Sequence, residues 1–165
     1  MKKSVFILFF LVFVSSQIAV SQHYFTMSKL MEFTNTASFL EFNKKVKEYG
    51  YLFAGSDKEE NYTRYNFTKQ VKEGTMIYSL GISYSDYDDG KPVIKHLCSF
   101  ESFERHINSS ISLYGFRDIE TSTDENVLSV RYENNTYDLS VHTISKKMEY
   151  SEETYNTTVA IISKK

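Results

Sequence analysis

The stretch 38–46, SFLEFNKKV, returns at 99–107 as SFESFERHI: Ser38, Phe39, Phe42 and Val46 are matched at identical spacing by Ser99, Phe100, Phe103 and Ile107. Each copy then reaches an aromatic-Gly-aromatic stop, Tyr49-Gly50-Tyr51 and Tyr114-Gly115-Phe116, the second arriving four residues later. Four residues are about one helical turn, so an insertion of that size leaves the apolar stripe on one face. Phe39, Phe42, Val46 and Tyr49 predict one amphipathic helix, and Phe100, Phe103, Ile107, Ile111 and Tyr114 a second. Ser38 with Glu41 has the form of a capping box, Ser99 is the expected N-cap of the second helix, and Gly50 and Gly115 stand where a left-handed residue ends a helix.

Downstream of each helix the period changes from helical to two. Met76, Tyr78, Leu80, Ile82 and Tyr84 alternate with Ile77, Ser79, Gly81 and Ser83, and Leu128, Val130 and Tyr132 alternate with Ser129, Arg131 and Glu133. Lys72-Glu73-Gly74, Asp88-Asp89-Gly90 and Asn134-Asn135 supply turn chemistry, and Pro92 stands at a strand start. Further short strands are expected at 51–53 and around 116–119. The copies keep rhyming: Arg64-Tyr65 with Arg131-Tyr132, Tyr78-x-Leu80 with Tyr137-x-Leu139, and Val93-Ile94 with the run 159–162. The expected fold is α+β: a tandem duplication of a helix followed by three or four antiparallel strands, forming one sheet with two helices packed on one face. The first repeat would span 38–98 and the second 99–165, within one compact domain.

The chain ahead of the repeats sets an address. Lys2 and Lys3 precede an apolar run at 5–14, and Ala19-Val20-Ser21 offers small residues for cleavage, so 1–21 reads as a secretory signal peptide. The run is shorter than the about 20 residues that cross a bilayer, so no stable membrane span is expected after its removal. A lead-in at 22–37 follows. The expected location is exported, either periplasmic or secreted.

Of the 19 Lys and Arg, two lie in this leader and no acid does, so the rest of the 165-residue chain carries an acidic excess of about four. That small excess, without a block of one sign, argues against nucleic acid as a partner. The chain has 13 Phe and 13 Tyr with no Trp, enough aromatic mass for a sizeable core. Its one cysteine, Cys98, allows no internal disulfide, which favours a bacterial exported protein over a small eukaryotic secreted domain. Five Asn-x-Ser/Thr triplets, at Asn61, Asn66, Asn108, Asn134 and Asn156, would be glycan acceptors only in a eukaryotic secretory pathway.

No catalytic, cofactor or metal set is expected. His96 and Cys98 project in parallel from one strand, a poor geometry for a thiol and its base, and burial is the better account. Asp86 to Gly90 fails the register of a calcium loop, and His23, His96, His106 and His142 are scattered. His23 is expected in a flexible new N-terminus. What the pattern does offer is the sheet face away from the helices, on which Arg64, Asn66, Ser83, Arg131, Asp138 and His142 form the candidate binding surface, with Ser79, Gly81 and Ser140 among them.

In outline, the repeated Ser-Phe-x-x-Phe helix with its following strands resembles the architecture of the secreted β-lactamase inhibitor proteins, whose continuous sheet presents a polar, Tyr-bearing face to its target. The resemblance is one of topology, and this chain lacks the cysteine pairs such proteins use. The expected function is an exported, non-enzymatic binding module that holds a protein or envelope component on the open sheet face and its hairpin tips. The alternatives are a small-ligand carrier or small hydrolase with a site between helices and sheet, near Phe42, Tyr78 and Leu139, and a structural assembly subunit associating through 157–163 as an edge strand.

Overall fold

The computed structural model describes residues 23–87, 90–147 and 154–165; the leader, Asp88 and Asp89 fall outside them. Among the described residues, the chain folds as α+β, with three helices and one antiparallel sheet of eight strands. The helices are α1 (Met27–Phe33), α2 (Phe39–Glu48) and α3 (Glu101–Leu113). After α2 come β1 (Leu52–Lys58), β2 (Tyr62–Glu73), β3 (Met76–Tyr87) and β4 (Val93–Cys98). After α3 come β5 (Arg117–Asp124), β6 (Val127–Glu133), β7 (Tyr137–Lys147) and β8 (Thr154–Lys164). Their order in the sheet is β1-β2-β3-β4-β8-β7-β6-β5, so each group of four is a meander and the two meet at β4 and β8.

The structure adds one element and corrects two expectations. In the lead-in, Thr26 accepts a hydrogen bond from the Lys29 N–H, and Met27, Leu30 and Phe33 recur every third residue to form a helix whose inner side is fully buried. Ser99 does not cap α3. The helix starts one residue later, with Phe100 at the N-cap and no side-chain cap, while the Ser99 hydroxyl lies 3.0 Å from Thr157 Oγ1. β8 is no edge strand, because it pairs with β4 on one side and β7 on the other. The edges are β1 and β5, each carrying a bulge, after Phe53 and after Asp118, that bends it away from further pairing.

Ser38 behaves as expected, its side chain accepting from the Glu41 N–H, with Glu41 in turn accepting from Ala37 N. Gly50 and Gly115 take positive φ of 80° and 66° directly after the helices, a conformation that glycine adopts without strain.

The register sorts every strand into two faces. On one, Phe67, Ile82, His96, Ala160 and Val141 lie side by side across five strands, and Tyr65, Tyr84, Ile94, Ile162, Leu139 and Tyr132 form the next row. Most of these side chains belong to a single buried core. Phe42 of α2 packs its ring on Phe67 and Tyr84, and Phe103 of α3 packs edge-on to His96.

Candidate functional site

The same register places all six candidate residues on the opposite, second face. Arg64, Ser85, Val93, Ser163, Asp138 and Glu133 form one row; Asn66, Ser83, Lys95, Ile161, Ser140 and Arg131 form the next; Thr68, Gly81, Leu97, Val159, His142 and Ser129 form a third. They fall into two groups, Arg64, Asn66 and Ser83 on β2 and β3, and Arg131, Asp138 and His142 on β6 and β7. From β2 to β6 is five strand spacings, about 24 Å. That separation suits a macromolecular contact and is too wide for one small molecule to bridge.

The two groups differ in charge. On the β6–β7 side the cations are matched: Arg131 reaches Glu120 at 3.4 Å, and Lys165 lies 2.6 Å from Glu133 and 3.8 Å from Asp138. Lys165 and Arg117 together hold the Glu133 carboxyl below the usual carboxylate range. On the β2–β4 side Arg64 donates to Tyr62 OH at 2.7 Å with its guanidinium over that ring, Asn66 donates to Asp57, and neither Arg64 nor Lys95 has an acidic partner among the described residues. His142 places Nδ1 2.8 Å from Ser129 Oγ, and burial, with Lys95 adding repulsion, lowers its pKa.

Four side chains that carry the middle of this face were not singled out from sequence. Val93 and Leu97 on β4 and Val159 and Ile161 on β8 put apolar surface around Lys95 between the two polar groups, with Val159 only 4% exposed. The signal was present: 93–98 and 157–162 lack the alternation of the other strands, which marks central strands with apolar side chains on both faces. Ser83 is also more enclosed than an open-face residue would be, at 6%. It borders a depression of about 230 Å³ walled by Arg64, Asn66, Lys95 and Leu97, where Gly81 contributes no side chain.

The His96–Cys98 pair lies on the core side, both residues fully buried. Burial pushes the Cys98 thiol up to about 12 and His96 down to about 4, so the thiol stays protonated and the imidazole neutral. His96 Nδ1 is 2.8 Å from the Gly81 carbonyl and Nε2 accepts from the Phe25 N–H at 3.3 Å, a structural role. His23 stacks on Phe100 and approaches Glu73 at 3.9 Å, so it is anchored where sequence predicts a free end. Of the residues named for an internal carrier site, Phe42 and Leu139 are packed into the core and Tyr78 lies against Phe100.

Among the described residues no three metal-ligating side chains converge, and no helix is long and apolar enough to cross a membrane. In comparison with known proteins, the chain matches no family model, no curated protein and no solved structure.

Proposed function

We propose that the protein is an exported, non-enzymatic binding module that holds a protein or envelope component on the second face of its sheet. The carrying observation is the composition of that face: Val93, Leu97, Val159 and Ile161 give the two central strands apolar surface around the exposed Lys95, between polar and charged side chains on the strands to either side. An apolar centre inside a polar rim is the anatomy of a protein interface. Export rests on the leader-type stretch at 1–21.

Two finer features of the architecture belong to this reading. The helices cover the other face, which is supported by the ring contacts of Phe42 with Phe67 and Tyr84 and of Phe103 with His96, all within adjoining rows of one register. The halves arose by duplication, which is supported by the matching bulges opposite Phe67 and Tyr132. From there Phe67 leads to Ile82 and His96 as Tyr132 leads to Leu139 and Ile162. On this correspondence the sequence rhyme of Tyr65 with Tyr132 is two residues out, a slip that keeps the same face because strands repeat every second residue.

The test is capture from envelope and secreted fractions of the native source, with residues 22–165 as bait and an Arg64→Glu, Arg131→Glu double variant as control. A partner held by the wild type and lost by the folded variant is expected. Equal capture by both forms would refute the sheet-face site.

A further inference from the structure

β4 is six residues long, yet it lies between β3 with 12 and β8 with 11. Its pairing ends with Leu97 opposite Gly81 and Cys98 opposite Thr158, and the chain then turns away into α3. Residues 76–79 of β3 and 154–157 of β8 therefore have a strand beside them on one side only, β2 and β7 respectively, with the Ser99 side chain against Thr157 at the closed end. No other backbone hydrogen bond reaches these eight residues among the described part of the chain. The result is a slot in line with β4, open where a strand would continue and bordered on both sides by strand edges. In such edges alternate residues present free N–H and C=O groups.

The slot coincides with a cleft of about 700 Å³. Its walls are Met76 and Ile77 on the β3 side and Tyr155 on the β8 side, and Leu97, Tyr78 and Phe100 contribute apolar surface between them. Ile77 is 65% and Met76 51% exposed, unusual for apolar residues of a strand with nothing to meet. Two strand spacings separate β3 from β8, about 10 Å, the width that one extended chain fills. Charge narrows the occupant further. Arg105 lies 3.8 Å from Glu101 and Glu73 lies 3.9 Å from His23, whereas Lys146, on the same wall as Tyr155, has no ion pair among the described residues.

We infer that this slot receives an extended segment of a partner polypeptide, about five residues long, that pairs with the free edges of β3 and β8, turns apolar side chains toward Ile77 and Tyr155, and places a carboxylate near Lys146. This is strand addition in the interior of a sheet: main-chain hydrogen bonds supply affinity and the walls supply selectivity. The slot lies at one end of the sheet, beyond the rows of Arg64 and Arg131, and of the four apolar side chains at the middle of the second face it shares Leu97 alone.

The probe is a ten-residue synthetic peptide alternating valine and threonine around one central aspartate, titrated by fluorescence anisotropy into the protein from residue 22 onward. Saturable binding is expected, weakened about tenfold when alternate amides of the peptide are N-methylated and several-fold by Lys146→Glu, but unchanged by Arg64→Glu with Arg131→Glu. Amide hydrogen exchange should slow at 76–79 and 154–157 on adding the peptide. Absence of saturable binding below about 1 mM overturns the inference. So does binding indifferent to N-methylation, or protection confined to other strands.

Discussion

His96 sits at the centre of the core, touching the rings of Phe25 and Phe103 and holding two backbone groups, the Gly81 carbonyl and the Phe25 N–H. His106 of α3 repeats the device two residues along the chain from Phe25, accepting from the Met27 N–H at 3.1 Å. Both histidines tie the start of the described chain to the sheet and to α3 as neutral rings. Desolvation lowers the His96 pKa to about 4, the Gly81 hydrogen bond opposing it only in part. Above pH ~6.5 neither the folded nor the unfolded chain protonates this ring; between ~6.5 and ~4 only the unfolded chain does, so stability falls as pH drops through that window, by about 3 kcal/mol in full. Urea midpoints at pH 7.5 and 4.5 should show this loss in the wild type and a shallower one in His96→Gln, and equal pH slopes would contradict it. Gly81 gives a second residue-level prediction. A Cβ there meets the Leu97 Cβ at 3.7 Å, an ordinary contact, and its φ is not positive. Gly81→Val should therefore leave the melting temperature unchanged or slightly raised. It should also weaken partner binding about tenfold by filling the depression beside Ser83.

At the scale of elements, α2 is fixed by a cap and a stripe and α3 by a stripe alone. Phe42 is fully buried against Phe33, Phe67 and Tyr84, so Phe42→Ala should lower unfolding stability by about 3–5 kcal/mol, measured by denaturant titration. A loss below about 1 kcal/mol would mean that α2 does not hold the core together. The helices were legible because aromatic residues recur at helical spacing and glycines stop them. α1 was missed although Thr26, Met27, Leu30 and Phe33 carry the same kind of signal, because seven residues give barely two turns of periodicity. The helix start at Ser99 was misread because a serine before a helix has other uses, here a hydroxyl contact with Thr157. Polar positions of the second face were readable from alternation in β2, β3, β6 and β7. Its apolar surface was not, since β4 and β8 do not alternate and period alone cannot assign their faces. The slot beyond β4 depends on where one strand stops relative to two distant ones, which no local pattern records.

At the scale of the whole molecule, the two meanders share one sheet because β4 and β8 carry apolar side chains on both faces and pair along six positions. The outer strands are unlike them: β1 and β5 are bulged and rich in charge, with Asp57 and Lys58 at one edge and Arg117, Asp118 and Glu120 at the other. Edges built this way discourage the outer strands from pairing with further copies. Leu40 on α2 and Leu113 on α3 are 73% and 76% exposed, so the helical side also offers apolar side chains to solvent. The account is tested most directly by placing a photo-crosslinking residue at Lys95, on the second face, and in a separate variant at Leu113, then irradiating each in the native host. A discrete partner adduct from Lys95 and none from Leu113 is predicted; an adduct from Leu113 alone, or none from either position, would contradict it.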